Sequence, residues 1–306
     1  MDLVTISDIR AAAERIAGAA TRTPLLRFDD RLWLKPESLQ PVGAFKIRGA
    51  HNALARLPEA VRARGVVAYS SGNHAQAVAY SAKLFGVPAV IVVPEDTPRV
   101  KVEATRSHGA EVVQVPTAER ESRAAELVAE RGATLIPPFD HPDVIAGQGT
   151  IGLEVIADLP DVETVLAPVS GGGLISGVAA AVKALSPSTR VVGVEPELAG
   201  DAAASLRAGA LVRWPAEDRA RTVADGLRAE PSELTFAHMT AHVDDVVTVS
   251  EEQIGAAVGL LARRARLVVE PSGAVAFAAH LARPAGRTVA VLSGGNVDPE
   301  VLARYL

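Results

Sequence analysis

Short runs of β-branched residues alternate along the chain with longer stretches in which apolar residues recur at helical spacing. The short runs predict strands over residues 66–70, 89–93, 111–115, 164–169, 190–195, 245–249 and 288–293. The longer stretches predict helices over residues 73–85, 99–108, 118–131, 144–158, 174–185, 251–266 and 273–282. This alternation is typical of an α/β protein with parallel sheets.

A proline pair marks the best internal boundary in this pattern. Pro137 and Pro138 close a β-α-β-α-β-α-β unit that begins near Gly65. We therefore expect a small α/β domain of residues 56–141, inserted into a larger domain made of residues 1–55 and 142–306.

Three of the predicted strands run into polar loops that contain glycine. These loops read SSGNH at residues 70–74, SGGG at 170–173 and SGGN at 293–296. One such loop would be an ordinary turn. Because ligands of open parallel sheets bind outside the carboxyl ends of the strands, three of them together predict one shared cleft.

The SGGG loop has the composition of a phosphate-binding loop. It lies between a predicted strand and a predicted helix, where consecutive glycines let backbone N–H groups and the positive helix end approach an oxyanion. A dinucleotide-binding fold is the alternative, with Gly171 and Gly173 in a GxGxxG pattern and Glu195 as the ribose ligand. Its third glycine, Gly177, is displaced by one position, and this alternative assigns no role to the SGGN loop.

A lysine interrupts an apolar segment near the N-terminus, PVGAFKIRG at residues 41–49. If residues 44–57 are helical, Arg48 and Asn52 point away from the apolar face, whereas Lys46 lies on it. The apolar residues on that face are Ala50, Ala53 and Leu57. Lys35, in contrast, precedes a proline near the edge of a strand.

Two explanations fit a lysine on a buried face. Its ammonium can reach the solvent at the rim of the site. Alternatively, burial lowers the pKa of Lys46 until a neutral amine can attack a carbonyl group. Pyridoxal 5′-phosphate (PLP) is an aldehyde with a phosphate arm, so it requires both an amine of this kind and a phosphate loop.

Charge, cysteine content and apolar runs exclude several classes of protein and of chemistry. The chain has 306 residues and a net charge of −5, which does not favour a general nucleic-acid or anionic-membrane binder. It has no cysteine, which excludes disulfides and thiolate chemistry. The N-terminus lacks the pattern of a signal peptide, and the longest apolar run, residues 87–94, is too short to span a bilayer. We therefore expect a cytoplasmic protein.

Five segments together resemble the fold-type II PLP enzymes, and more narrowly the threonine/serine dehydratase and serine racemase family. They are GAFKIRGA, SSGNHAQA, DVIAGQGTIGLEV, SGGGL and LSGGNVD, in family order and spacing from TRTPLL to SGGN. Ala44, where many members have serine, is a small departure. The resemblance implies a tryptophan synthase β-like fold, with two parallel-sheet α/β domains and the cofactor in the cleft between them.

The resemblance also implies how PLP would be held. Lys46 is expected to form the Schiff base, Phe45 to pack at the ring, and Asn73 to bond the phenolic oxygen. Ser293 is expected to meet the pyridine nitrogen. The phosphate is expected to bind the backbone N–H groups of Gly171, Gly172, Gly173 and Leu174.

The SSGNH loop is expected to bind the substrate carboxylate, because its N–H groups open a helix. Its residues are Ser70, Ser71, Gly72, Asn73 and His74. In the family, Ser71 lies on the opposite side of the substrate from Lys46 and is the second acid/base of racemases. A serine that only caps the helix is an equal alternative from the residues alone, and His74 is more simply a structural histidine.

A cation site is the last implication of the resemblance. Glu195 and Asp201, with the carbonyl of Ala199, resemble the divalent-cation ligands of the racemase-like members. Two carboxylates and a carbonyl suit Mg²⁺ or Ca²⁺. Solvated loop acids are the simpler alternative.

The resulting prediction is an ammonia-lyase that converts L-threonine or L-serine to a 2-oxo acid and ammonia, with Phe139 as one wall of the substrate pocket. The enzymatic alternatives are a serine racemase and a 3-hydroxyaspartate ammonia-lyase. A non-catalytic amino-acid-binding homologue is the alternative from another class. The resemblance further implies a homodimer or a larger homo-oligomer.

Overall fold

Two sheets organise the computed structural model, which describes residues 2–97 and 99–306. Six strands form the larger sheet: β1 (Leu26–Arg27), β2 (Leu32–Pro36), β7 (Thr164–Pro168), β8 (Arg190–Pro196), β9 (Asp245–Val249) and β10 (Thr288–Leu292). Four strands form the smaller sheet: β3 (Val66–Tyr69), β4 (Ala89–Pro94), β5 (Glu111–Val115) and β6 (Thr134–Leu135).

The strand orders are those of open parallel sheets. The larger sheet runs β1-β2-β10-β7-β8-β9, with only β1 antiparallel to its neighbour. The smaller sheet runs β5-β4-β3-β6 and is parallel throughout. The α/β fold class with parallel sheets is thereby confirmed. The domain boundaries at residues 55/56 and 141/142 stay a prediction.

Helices cover both sheets. They are α1 (Ile6–Ile16), α2 (Lys46–Arg56), α3 (Glu59–Arg62), α4 (Asn73–Phe85), α5 (Arg99–Ser107), α6 (Arg120–Arg131), α7 (Pro142–Asp158), α8 (Gly173–Leu185), α9 (Asp201–Ala208), α10 (Ala216–Arg219), α11 (Glu233–His242), α12 (Glu251–Leu260), α13 (Pro271–Ala282) and α14 (Pro299–Ala303). No described helix is long and apolar enough to cross a membrane.

The predicted helix over residues 251–266 is wrong at its end. The α-helix stops at Leu260, a π turn follows over Leu261–Ala265, and Arg266 has a left-handed backbone with φ of 60°. Two short strands, β1 and β2, were not predicted, and a third, β6, was implied only as the last strand of the unit that Pro137 and Pro138 close. Strands β1 and β6 have only two residues, which is too short for a periodic pattern.

Successive side chains of the strands pack into two apolar clusters, one on each face of the larger sheet. In β10, Ala290 and Leu292 pack into the cluster beneath α12 and α13, whereas Val289 and Val291 pack into the cluster beneath α8. The alternation follows from the two-residue repeat of a strand. Both faces of the larger sheet are therefore covered, which leaves the loops at its carboxyl edge as the place for a site.

Helix α2 is buried on nearly every side, which corrects the interpretation of its polar residues. Arg48 is 1% exposed and Asn52 is fully buried, although the helical pattern placed them away from the apolar face. A Cβ on Gly147 of α7 would lie 2.6 Å from the Cα of Gly49. The two helices therefore touch at glycine, and α2 has no solvent face at this point.

A buried cluster of charges holds the first turn of α2. Arg48 Nε lies 2.7 Å from Glu37 Oε2, and Arg48 Nη1 lies 2.6 Å from Glu154 Oε1. Lys35 Nζ lies 2.5 Å from Glu154 Oε2. Lys35 is fully buried. Thr150 adds a hydroxyl 3.0 Å from Arg48 Nη1.

The cluster is neutral overall, because the charges of Arg48 and Lys35 balance those of Glu37 and Glu154. Burial would raise the pKa of Glu37, but the adjacent Arg48 guanidinium holds that pKa below its ordinary value. Burial lowers the pKa of Lys35 even though Glu154 lies beside it. Removing any one member would therefore leave an uncompensated buried charge, which is more costly than the intact cluster.

Replacing Arg48 by methionine should lower the free energy of unfolding by about 3–5 kcal/mol, because two buried carboxylates lose their shared cation. Urea unfolding measures the loss. The matched control is Arg106→Met, since Arg106 pairs with Glu103 on the exposed face of α5 and should contribute little. Equal losses in the two variants would contradict a stabilising role. If Arg48→Met does not fold, Glu37→Gln keeps the shape and gives the same comparison.

Candidate active site

Lys46 is the first residue of α2, and its side chain is half-buried. Its Nζ donates a hydrogen bond to the carbonyl oxygen of Pro138 at 2.7 Å and lies 5.1 Å from the centre of the Phe45 ring. Burial lowers the pKa of Lys46 to about 8, and the positive end of α2 acts in the same direction. A substantial fraction of the amine is therefore neutral near physiological pH.

The SGGG loop presents unbonded backbone donors at the start of α8. Residues 171–174 are buried, and their N–H groups donate to no protein acceptor among the described residues. Buried N–H groups normally have a partner, so this loop requires an anion or another acceptor. Gly172 has φ of +86°, and a Cβ there would lie 2.7 Å from Thr235. The turn therefore accepts only glycine without strain.

Phe139 packs directly on this loop. A Cβ on Gly171 would lie 2.4 Å from the Phe139 ring, and one on Gly173 would lie 2.8 Å from Phe139 Cβ. The phenyl ring that the sequence suggested as a pocket wall thus also covers the loop and limits its conformation.

The SGGN loop is bonded to the segment that carries Lys46. Phe45 N donates to the carbonyl oxygen of Ser293 at 3.0 Å, and Gly295 N donates to that of Gly43 at 2.9 Å. Ala44 and Gly294 form an isolated antiparallel bridge between the two segments. Ser293 is 4% exposed. These bonds hold the segment that carries Lys46 against the SGGN loop, at the place of the predicted cleft.

Asn73 links the SSGNH loop to the same cleft. Its Nδ2 donates to Glu270 Oε1 at 2.6 Å, and its Oδ1 accepts from Asn296 Nδ2 at 2.7 Å. Burial raises the pKa of Glu270 to about 8. Sequence reasoning missed Glu270 and Asn296. A carboxylate between Val269 and Pro271 at a helix start was the available signal for Glu270.

The remaining residues of the SSGNH loop divide into two kinds. Ser70, Ser71 and Gly72 are half-buried at the opening of α4, where the first N–H groups of the helix have no protein acceptor among the described residues. His74 is instead buried, and its Nε2 lies 2.8 Å from the carbonyl oxygen of Ile136. Burial lowers the pKa of His74 to about 3. Its ring is thus neutral, with Nε2 bonded and Nδ1 buried without a partner among the described residues, and its backbone N–H remains available.

Glu195 and Asp201 form a separate group. Glu195 accepts hydrogen bonds from Ala202 N at 3.1 Å and Ala203 N at 2.8 Å, so it caps α9. Asp201 Oδ2 is buried without a partner among the described residues. Burial raises the pKa of Asp201 to about 6, and burial together with Asp201 raises the pKa of Glu195. No group of three or more Asp, Glu or His in the described ranges is arranged as metal ligands.

The cleft fits PLP on two observations. Four buried N–H groups without acceptors match the needs of a phosphate, and an amine of lowered pKa matches the needs of an aldehyde. The sequence profile of the pyridoxal-phosphate dependent enzymes matches residues 16–294. The chain belongs to this family.

Individual members of the PLP-dependent family match nearly the whole chain. An L-threo-3-hydroxyaspartate ammonia-lyase of Saccharomyces cerevisiae is 43% identical over 97% of this chain and 95% of its own. An L-threonine ammonia-lyase of Thermotoga maritima is 44% identical over 99% and 78%. The structure of maize serine racemase superimposes with a TM-score of 0.95 at 39% identity, over 99% and 97% of the two chains. These relatives support a PLP-dependent lyase or racemase and leave the substrate open.

Replacing Gly172 by alanine should weaken PLP binding at least about tenfold, because the turn must move its N–H groups to relieve the contact with Thr235. Titration of the apoprotein with PLP gives the dissociation constant. Gly109→Ala is the matched control, since Gly109 also has φ of +86° but nothing within 4 Å of its Cβ position. Both variants should lose stability, about 1–2 kcal/mol from the left-handed backbone alone. Unchanged PLP affinity in Gly172→Ala would contradict the role of this loop.

Proposed function

We propose that this protein is a PLP-dependent ammonia-lyase that converts L-threonine or L-serine to a 2-oxo acid and ammonia. The observation that carries the proposal is the placement of the Lys46 amine 2.7 Å from the Pro138 carbonyl, next to Phe139, which packs on a loop with four unbonded N–H groups. The L-threonine ammonia-lyase relative, at 44% identity, supports a β-hydroxy amino acid as the substrate class, as does the 3-hydroxyaspartate ammonia-lyase at 43%.

The chain's own residues would hold the cofactor at four points. The N–H groups of residues 171–174 would bind its phosphate, and Lys46 Nζ would attach to its aldehyde carbon. Asn73 would bond the phenolic oxygen, and the Ser293 hydroxyl would meet the ring nitrogen. When bound, PLP withdraws electrons from the α-carbon of an attached amino acid, which makes its proton acidic.

Lys46 is the proposed base. Its Nζ would take the α-proton of the bound substrate, and a pKa near 8 suits an amine that must accept a proton near neutral pH. The Pro138 carbonyl, 2.7 Å away, holds the free amine in place.

The N–H groups at the start of α4 bind the substrate carboxylate in this proposal, aided by the positive end of that 13-residue helix. With the carboxylate held there, the overall conversion would lose the β-hydroxyl as one water and take up one water to release ammonia. The net products are therefore the 2-oxo acid and ammonia. A serine hydroxyl at the ring nitrogen does not favour ring protonation as a carboxylate would, which suits elimination better than transamination.

Serine racemisation is the second candidate function. Ser71 is half-buried at the opening of α4, and the structural similarity to maize serine racemase favours this alternative. Racemisation requires a proton donor on the face opposite Lys46, and Ser71 is the proposed donor. Elimination requires only Lys46.

The decisive experiment measures 2-oxo acid release and the chirality of remaining substrate for serine, threonine and the 3-hydroxyaspartate isomers. Borohydride reduction of the wild type should fix PLP on Lys46. Lys46→Ala should lose both activities, because it removes the attachment point and the base together. Ser71→Ala should lose any L-to-D interconversion and keep part of the elimination.

Ser122→Ala, on the exposed face of α6, is the matched control and should retain both activities. More D-isomer than oxo acid from the wild type would replace the lyase proposal by the racemase. Preference for 3-hydroxyaspartate would identify the other lyase, and an adduct on a different lysine would refute the assignment of Lys46.

We further propose that Glu195, Asp201 and the carbonyl of Ala199 bind Mg²⁺ or Ca²⁺. Asp201 Oδ2 is a buried oxygen without a partner among the described residues, and a second buried carboxylate lies beside it. Oxygen ligands of this kind suit a hard cation. A cation bound there would balance the negative charges of the two buried carboxylates.

The pH dependence of stability tests this site. Folding raises the pKa values of Glu195 and Asp201. These two carboxyl groups therefore favour the folded state only while they are protonated. Their contribution is complete below the unfolded pKa of about 4 and is lost as the pH rises through about 6 for Asp201. At pH 8, Mg²⁺ or Ca²⁺ should therefore raise the melting temperature. Asp201→Asn should raise it without cation and abolish the response. A wild type that does not respond to either cation would argue against the site.

A further inference from the structure

Asn296 ends the SGGN loop and has no role in the reaction described above. Its Nδ2 donates two hydrogen bonds, one to the carbonyl oxygen of Val42 at 2.8 Å and one to Asn73 Oδ1 at 2.7 Å. Both asparagines are half-buried at the cleft. The two bonds connect the residue before the GAFK segment to the start of α4.

The Val42 carbonyl determines the orientation of both amides. A backbone carbonyl only accepts hydrogen bonds, so the nitrogen of Asn296 must face it. The second hydrogen on that nitrogen needs an acceptor, which requires the oxygen of Asn73 to face Asn296. The nitrogen of Asn73 is thereby turned toward Glu270 Oε1, 2.6 Å away.

This orientation leaves one donor free. Asn73 Nδ2 carries two hydrogens, and one of them is used by Glu270. No acceptor among the described residues takes the other. If Asn73 were flipped, a carbonyl oxygen would occupy the position of this N–H, and its partial charge would be opposite.

We propose that Asn296 is a positioning residue that, through Asn73, presents an N–H donor rather than a carbonyl oxygen to the phenolic oxygen of bound PLP. The inference rests on the proposed function, in which Asn73 faces that oxygen. A donor favours the ionised phenol and lowers its pKa, whereas an amide oxygen in the same place repels it.

Five titratable groups, on five elements, lie around this region. Glu270 lies at the N-terminus of α13, Lys46 at that of α2 and His74 at that of α4. Asp225 begins the short turn Asp225–Leu227, and its charge raises the pKa of Glu270. Lys101 of α5 lowers that pKa. All five are retained in the variants below, so differences among those variants report on the two amides.

Asn296→Asp tests the proposal, because it replaces the donor that faces Val42 and Asn73 by an oxygen of the same size. The Asn73 amide should then turn and donate to the new carboxylate. We expect the pKa of the bound cofactor's phenolic oxygen to rise by about one unit, and PLP affinity to fall about tenfold. A pH titration of the cofactor's absorption spectrum measures the first, and titration of the apoprotein measures the second.

The double variant separates the amide from the added charge. In an Asn73→Ala background, Asn296→Asp should produce no further spectral shift, because Asn296 acts only through Asn73. Asn296→Ala, which adds no charge, should shift the spectrum in the same direction as Asn296→Asp. Asn52→Asp is the stability control, since Asn52 also donates to a backbone carbonyl, that of Asp143 at 2.7 Å. It should lower the melting temperature without moving the spectrum.

Three outcomes would overturn the inference. An equal shift with and without Asn73 would assign the effect to charge alone, and no shift in either background would remove the positioning role. A wild type whose PLP is not attached to Lys46 would refute the proposed function and this inference together. A shift confined to the Asn73-containing background supports it.

Discussion

The buried pairing of Arg48 with Glu37 and Glu154 is the constraint on which the cleft depends. Arg48 lies two residues after Lys46, so the bonds that fix its guanidinium also fix the first turn of α2. Glu37 comes from the turn after β2 and Glu154 from α7, so the cluster joins three separate segments. The Lys46 amine is therefore held by a rigid framework rather than by a loop.

Backbone contacts extend this framework to the other side of the cleft. The segment before Lys46 and the SGGN loop exchange hydrogen bonds at Phe45 and Gly295. A Cβ on Gly294 would lie 2.4 Å from Glu270 Oε1, so glycine is what allows the carboxyl group to approach. The polar groups that face one another here come from chain segments about 200 residues apart. Their spacing is set by main-chain bonds, which leave little freedom for side chains to adapt.

The local patterns predicted the repeating part of the fold well and the polar interior poorly. Seven strands were predicted because each is a β-branched run with turn residues at its end. The helical pattern of α2 misplaced Arg48 because such a pattern assumes that polar residues face solvent, and here Glu37 and Glu154 replace the solvent. Those partners lie 11 and 106 residues from Arg48, beyond any local periodicity.

The candidate site shows the same division. The loops at the strand ends were recognisable because each has glycine and serine after an apolar run. Glu270 and Asn296 contact Asn73 across 197 and 223 residues, and no single segment shows that contact. Motif spacing can locate backbone donors, since these follow from strand and helix ends. The orientation of a side-chain amide depends on tertiary partners, which only the folded structure reveals.

The acceptor of the Lys46 amine has a mechanical consequence. The Pro138 carbonyl lies in the connection between β6 of the smaller sheet and α7, and the neighbouring Ile136 carbonyl bonds His74. A displacement of the smaller sheet would therefore stretch or shorten the bond to the amine. Because that bond favours the charged ammonium, stretching it would make Lys46 a weaker base. Strain in a single peptide connection would in this way be converted into a change of proton affinity at the reacting nitrogen.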